Sequence, residues 1–209
     1  MKRRLIVFGR LPRHGRVKAR LAATVGADLA LAAHRALLER TLRVAEACVV
    51  TRRVWAHPPD DEGPGPADGL PAGGWLVQVQ RGADLGERMR NALEEALGAG
   101  ELPVLVGADC PVLEPSDVAD AYAALATHDA AFAPTEDGGY ALVGLARPLP
   151  TLFERVPWGT ARVADATRAR LAAAGARAAW LRRLWDVDRE ADLRRWQASD
   201  PARAPSPRR

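Results

Sequence analysis

The chain has 209 residues, of which 48% are hydrophobic and 27% charged, with a formal net charge of +4. These values fit one globular domain large enough to bury most of its apolar surface. They exclude a disordered low-complexity chain, and no apolar run is long enough to span a bilayer. The sequence pI of about 9.7 raises nucleic-acid binding, but Arg203, Arg208 and Arg209 of the tail contribute to the charge. Aromatic residues are 5% of the chain, and no basic strand is interleaved with aromatics that would stack bases. No specific nucleic-acid partner and no membrane partner are expected, and an oligomer is compatible with the composition.

Met1-Lys2-Arg3-Arg4 followed by Leu5 to Phe8 has the look of a leader. The apolar stretch is too short for one, and Arg10, Arg13 and Arg16 follow at once, so a cytoplasmic location is expected. The apolar run itself predicts a buried first strand, broken at Gly9. The loop that follows holds Pro12, Gly15 and the cations Arg10, Arg13, Arg16, Lys18 and Arg20. A basic loop at the carboxyl end of a first strand is where open α/β sheets hold phosphates. Of 30 Lys plus Arg residues only Lys2 and Lys18 are lysines, and lysine is a compact point charge suited to phosphate. A solvated basic turn is the alternative reading.

Strand and helix signals then alternate. Residues 28–47 read as a helix, with Leu31, Leu37, Leu38, Leu42 and Val44 at helical spacing. A second strand is expected over 48–56. Residues 57–74 are rich in Pro, Gly and Asp, and predict a long exposed loop with the character of a mobile lid. A strand over 75–80, a helix over 84–98 and a continuous apolar strand over 103–107 follow. Pro115-Ser116-Asp117 opens a helix to about residue 127. Two strands, 130–133 and 140–145, flank the turn Glu136-Asp137-Gly138-Gly139, either as a hairpin or apart in the sheet. Thr160 is expected to cap a helix to Ala174. A last strand over 178–184, a turn at Asp186-Val187-Asp188 and a final helix to Trp196 complete the domain. Pro and Arg dominate from Ser199, predicting a domain over 1–197 and a disordered tail over 198–209.

Several chemistries are absent from the sequence. There is no G-x-x-x-x-G-K-[ST] loop, no G-x-G-x-x-G after a strand and no G-x-S-x-G elbow. His14, His34, His57 and His128 are isolated and lack zinc spacing; His14 lies in the basic loop, and the other three read as structural or solvated. Cys48 and Cys110 make neither a metal spacing nor a disulfide framework and read as reduced, buried thiols.

Asp109 is the best candidate acid. It follows a buried strand directly, so its carboxylate faces the ligand crevice. Carboxylates in that position hold Mg²⁺, which takes one or two protein oxygens plus substrate phosphates. A loop or capping role is the competing one. Asp186 and Asp188 are placed to complete the metal site through one or both acids, with helix capping the alternative for Asp188. Gly82-Ala83-Asp84-Leu85-Gly86-Glu87-Arg88 opens a helix, whose backbone N–H groups favour anions; Asp84, Gly86 and Arg88 join the candidate phosphate set. Glu136 and Asp137, with Gly138 and Gly139 permitting close backbone approach, suit sugar hydroxyls or an acceptor cation, though a plain hairpin turn has the same composition.

Together and in this order, the motifs resemble a bacterial domain-of-unknown-function family of transferases, labelled a glycosyltransferase and associated with radical-SAM and arsenosugar gene neighbourhoods. The chain is also similar to phospholactate guanylyltransferases and, more distantly, to molybdenum-cofactor guanylyltransferases. The matching positions are Phe8, Arg10, Pro12, Gly15, Lys18, Ala19, Arg20 and Leu21; Asp84 to Met89; Gly107 to Pro111; Glu136 to Tyr140; Pro157, Trp158, Gly159 and Thr160; and Asp186 to Asp188 with Asp192 and Leu193. Arg10 stands where the family pattern has lysine, Ala19 where it has threonine and Gly159 where it has serine.

The resemblance implies a three-layer α/β/α nucleotide-diphospho-sugar transferase (GT-A) fold with a mostly parallel central sheet. It implies divalent metal, Mg²⁺ or Mn²⁺, on Asp109, and donor phosphates on the loop from Arg10 to Arg20. With the motif readings, the expected sites are metal on Asp109 and Asp188, donor phosphates on Arg10, Gly15, Arg16, Lys18, Arg20, Asp84, Gly86 and Arg88, and an acceptor on Glu136, Asp137, Gly138, Gly139, Trp158 and Thr160. The expected activity is a Mg²⁺-dependent transfer from a nucleotide donor to a small-molecule acceptor, with Lys18 and Arg20 stabilising phosphoryl or pyrophosphate charge. The cationic loop favours nucleotidyl transfer; the Glu136-Asp137 turn and the family label favour glycosyl transfer. A non-catalytic nucleotide or nucleic-acid binder is the alternative from another class.

Overall fold

Leu5, Ile6, Val7 and Phe8 are all buried because successive strand residues face opposite sides of a sheet that is covered on both. Leu5 and Val7 enter one apolar cluster with Leu38, Leu42, Val104 and Val106. Ile6 and Phe8 enter another with Met89, Leu93, Leu105, Phe132 and Val143. The computed structural model describes residues 1–61 and 73–206.

The elements run β1 (Lys2–Phe8), α1 (Ala19–Val25), α2 (Ala27–Ala47), β2 (Arg52–His57), β3 (Trp75–Val79), α3 (Leu85–Gly98) and β4 (Glu101–Gly107). They continue with α4 (Pro115–Ala124), β5 (Ala130–Pro134), β6 (Tyr140–Leu145), a 3₁₀ turn (Pro150–Phe153), α5 (Val163–Ala173), β7 (Ala178–Trp180) and α6 (Glu190–Ser199). One seven-stranded sheet results, ordered β3-β2-β1-β4-β6-β5-β7. β1 pairs in parallel with both β2 and β4, β6 runs antiparallel between β4 and β5, and β7 is parallel to β5. This is the expected three-layer, mostly parallel α/β/α domain. From β1 the chain steps outward to β2 and β3, then returns to the other side of β1 as β4. The loops leaving the carboxyl ends of β1 and β4 therefore diverge and open a crevice.

A third apolar cluster fixes one wall of that crevice. Leu21 of α1 and Ala30, Ala33 and Leu37 of α2 pack against Trp185, Val187, Leu193 and Trp196. The segment 185–188 is thereby pinned beside the β1 loop.

The structure departs from the sequence reading at several element ends. α1 has no hydrophobic period long enough to read and no side-chain cap; its N-cap is Lys18. β2 begins at Arg52 because Arg53 donates to the carbonyls of Ala45, Glu46 and Cys48, closing the end of α2. β5 and β6 pair as neighbours in the sheet. Thr160 does not cap α5, which starts at Val163; its hydroxyl donates to the Pro157 carbonyl. β7 stops at Trp180, and only a single bridge joins Thr135 to Leu184. Asp188 does not cap α6 either: Asp192 accepts from the amides of Asp188 and Arg189 instead. Residues 200–206, expected to be disordered, turn back onto the domain, with Ala204 buried and Gln197 donating to the Pro205 carbonyl at 2.6 Å. Most of the expected lid, residues 62–72, lies outside the described residues. Among the described residues no helix is long and apolar enough to cross a membrane.

Trp196 is 1% exposed at the centre of the third cluster. Truncation of a buried aromatic of this size costs about 3–5 kcal/mol. Trp196→Ala is expected to lose that much in urea denaturation, with loosening of the 185–188 wall read by protease sensitivity.

Candidate active site

A cleft of about 630 Å³ opens where the β1 and β4 loops part. Its polar wall holds Lys18, Arg20, His34, Asp109, Asp186 and Asp188; the α3 side brings Leu85, Arg88 and Met89. Lys18 is the hub. It takes up a left-handed backbone conformation, φ 50° and ψ 47°, which costs a non-glycine residue about 1–2 kcal/mol. The side chain is 4% exposed, with Nζ 2.5 Å from Asp109 Oδ1 and 3.9 Å from Asp188 Oδ1. Nζ also donates to the Val187 carbonyl at 2.6 Å. The basic loop, the end of β4 and the segment before α6 are thus joined through one ammonium group.

Asp109 and Asp188 are each about half-exposed to the cleft. Burial works to raise the Asp109 pKa, and the adjacent Lys18 ammonium overrides it, holding the carboxyl below its ordinary range. Arg20 Nη1 lies 3.1 Å from Asp188 Oδ2. Asp186 is raised to about 7, first by burial and then by the Asp109 carboxylate. Among the described residues no three His, Cys, Asp or Glu side chains form a ready-made metal ligand set. The pair Asp109 and Asp188 fits a divalent ion of the kind completed by water and phosphate oxygens. The buried ammonium of Lys18 lies beside both carboxylates.

The remaining basic residues separate. Arg10 lines the cleft, but its guanidinium is engaged by acids of the β2–β3 loop. Nη2 reaches Asp60 at 2.9 and 3.2 Å, and Nη1 reaches Asp61 at 3.4 Å. Asp61, almost fully buried, also accepts from the Leu11 amide at 2.8 Å. Gly15 and Arg16 are exposed and away from the cleft lining. Arg88 faces the cleft with its Nε donating to the Gly82 carbonyl at 3.1 Å. Asp84 is instead the N-cap of α3, its carboxylate accepting from the Glu87 amide. Gly86 is buried where an added Cβ would lie 2.6 Å from Trp158 Nε1 and 2.7 Å from the Phe153 carbonyl. Its lack of a side chain permits this close packing.

The expected acceptor group is not gathered in the cleft, although Tyr140 beside it is. Glu136 forms a two-point pair with Arg195 at 2.7 and 3.0 Å. Asp137 closes its own turn through Thr135 and the Gly139 amide. Gly138, at φ 88°, admits the segment before α5 so closely that a Cβ would collide with the Ala161 carbonyl. Gly139 stands over the Thr135 and Asp137 side chains. Trp158 packs edge-on to Tyr140 at 6.2 Å between ring centroids, and Thr160 is exposed on its local turn.

Sequence reasoning missed His34, Gln80 and Tyr140 as lining residues. His34 Nε2 lies 3.0 Å from the Arg10 carbonyl, which can only accept, so Nε2 carries the proton; burial lowers its pKa. Its position one helical face beneath the loop gave no motif. Both cysteines are free and buried, and burial pushes the Cys48 thiol up to about 11 and Cys110 to about 12, which leaves them unreactive.

A family model described as an uncharacterized protein conserved in bacteria (DUF2064) matches residues 37–160. The chain belongs to the DUF2064 family. The matched span holds Asp109 but neither Lys18 nor Asp188. Among solved structures, a candidate nucleotide-diphospho-sugar transferase from Desulfovibrio desulfuricans G20 is 29% identical, with a TM-score of 0.83 over 97% of this chain and 90% of its own. Rv0371c from Mycobacterium tuberculosis H37Rv, in complex with manganese, is 18% identical, with a TM-score of 0.56 over 95% of this chain and 100% of its own. The 2-C-methyl-D-erythritol 4-phosphate cytidylyltransferase of Thermus thermophilus is 17% identical, with a TM-score of 0.56 over 95% and 98%. The last two likenesses show a shared fold. No protein of curated function matches the sequence. The DUF2064 membership and the transferase-type fold agree with the resemblance read from the motifs.

Asp61 holds the Leu11 amide and the Arg10 guanidinium together. Asp61→Ala leaves the buried amide unpaired, at a cost of about 1–3 kcal/mol. The expected result is a lower melting temperature, with faster hydrogen exchange at the Leu11 amide than in the wild type.

Proposed function

We propose that this DUF2064 protein is a divalent-metal-dependent transferase acting on a nucleotide donor, and that it moves a nucleotidyl group from a triphosphate to a small phosphorylated or hydroxyl-bearing acceptor in the cytoplasm. One observation carries the reading. Lys18, Arg20, Asp109 and Asp188 converge at the carboxyl ends of β1 and β4, in the crevice of a transferase-type fold. A site for phosphates and a cation is what that combination of two cations and two carboxylates suits.

In this reading Asp109 and Asp188 hold Mg²⁺ or Mn²⁺. The bound ion would neutralise donor phosphates and polarise the reacting phosphoryl group. The acceptor oxygen forms a bond to the α-phosphorus as the bond to the bridging oxygen breaks, and pyrophosphate leaves. Lys18 and Arg20 stabilise the charge that grows on the departing phosphates, so catalysis is positioning plus electrostatics. Arg88, across the cleft, is a third cation within the same walls. Arg10 acts as a fastener between loops, since its guanidinium already serves Asp60 and Asp61.

Glycosyl transfer from a nucleotide-diphospho-sugar is the second reading, favoured by the name of the Desulfovibrio relative. In that reading Glu136, paired with Arg195, and Asp137, bonded within its own turn, would have to exchange these contacts for sugar hydroxyls.

A thermal-shift panel of nucleoside triphosphates and nucleotide sugars, with and without Mg²⁺, tests the proposal. A ligand at ~100 times its Kd adds about 2.7 kcal/mol of stability. Nucleotidyl transfer expects a Mg²⁺-dependent shift with a triphosphate; a shift with nucleotide sugars alone selects the second reading. Metal-independent, steeply salt-dependent binding to RNA would overturn both. Asp109→Asn is expected to abolish the Mg²⁺-dependent shift. Arg20→Ala should weaken triphosphate binding roughly 10- to 100-fold, as loss of a charged hydrogen bond of about 1.5–3 kcal/mol requires.

A further inference from the structure

We propose that the Lys18 ammonium is a built-in placeholder for the metal, so that Lys18 and a divalent cation exclude one another at Asp109 and Asp188 until a triphosphate arrives to receive the lysine. The inference rests on the reading of this cleft as a metal–nucleotide site and says how its two ligands depend on each other.

Nζ sits 2.5 Å from Asp109 Oδ1 and 3.9 Å from Asp188 Oδ1. A divalent ion coordinates carboxylate oxygens at about 2.0–2.1 Å for Mg²⁺. Bound to these same oxygens, it would stand within a few ångströms of the ammonium, three positive charges in one pocket. The lysine cannot yield at no cost. Its side chain is 4% exposed, and a buried ammonium that loses its carboxylate is left uncompensated. The Val187 carbonyl keeps one of its three donors at 2.6 Å. A metal ion that takes Asp109 Oδ1 therefore displaces the ammonium from it and leaves Lys18 with Asp188 Oδ1 at 3.9 Å and the Val187 carbonyl. A metal bound to a triphosphate supplies both the replacement cation for Asp109 and the anionic oxygens for Lys18. Metal and nucleotide should accordingly strengthen each other's binding, reciprocally and by the same factor.

The experiment measures protein-bound Mn²⁺ by equilibrium dialysis at matched free Mn²⁺, first without nucleotide and then with saturating non-hydrolysable triphosphate, so that chelation by the nucleotide in solution is not counted. Wild-type protein is expected to bind Mn²⁺ alone weakly, and about tenfold or more tightly with the triphosphate, within the usual range of coupling between sites. Lys18→Gln keeps a donor for the Val187 carbonyl and removes the charge. It is expected to bind Mn²⁺ alone about tenfold or more tightly than wild type, and to lose most of the gain from the triphosphate. Arg20→Gln removes a cation from Asp188 without touching the Lys18–Asp109 pair, and its Mn²⁺-alone affinity should rise far less. An unchanged or weaker Mn²⁺-alone affinity in Lys18→Gln overturns the placeholder. So does an equal rise in Arg20→Gln, which would mark a general charge effect. Additive binding in the wild type overturns it without any variant, should Lys18→Gln fail to fold. A wild type that binds neither Mn²⁺ nor any triphosphate rejects the metal–nucleotide reading itself, and this inference with it.

Discussion

The cleft depends on one short ion pair between a buried ammonium and a carboxylate open to the cleft. Lys18 comes from the loop after β1, Asp109 from the end of β4 and Val187 from the segment before α6, and a single ammonium group ties all three. The apolar cluster around Trp196 anchors the last of these segments, and the ammonium links the other two to it. The left-handed backbone of Lys18 shows how much the surroundings determine its place, since such a conformation persists only where neighbouring contacts enforce it. Around this pair the other fasteners are secondary: Asp61 on the Leu11 amide, Arg10 on Asp60, and His34 on the Arg10 carbonyl. All pull the basic loop towards the sheet and α2.

Several arginines of this chain fasten its structure from the surface. The arginine richness is spread along the chain beyond the basic loop, and some of these arginines close structure. Arg53 satisfies the carbonyls at the end of α2, Arg182 pairs with the buried Asp117, and Arg195 joins α6 to Glu136 while lying over the Trp185 ring at 4.2 Å. Arginine suits such work because its fork of donors can meet two acceptors at once. Lys18 differs in kind: a point charge on a flexible stem, placed among carboxylates. The lysine that stood out by composition is the cation at the centre of the cleft.

The sequence showed the layers of the fold better than the edges of its elements. The strands buried on both faces, β1 and β4, were legible because their central residues form continuous apolar runs. α2 was legible because its period is long. α1 was not, since seven residues without a capping side chain carry no pattern, and β7 shortened because Arg182 leaves the strand for Asp117. At the site, Asp109, Lys18, Arg20 and Asp188 were readable as charges after strands or in a D-x-D turn. What sequence spacing could not supply was direction. Glu136, Asp137, Asp84 and Gly86 had the right chemistry for ligand and turned out to serve caps, turns and close packing. His34 was invisible because a helix places it under the loop from 24 positions away.

The contact from Lys18 to Val187 spans 169 residues. A chain that emerges from the ribosome amino end first presents its basic loop long before the acids and carbonyl that restrain it, and the docking of α6 through Trp196 comes later still. The central sheet can assemble during that interval, but its crevice has one wall missing. For a growing chain, then, competence to bind is a late property, acquired in the step that buries the lysine rather than in the step that forms the sheet.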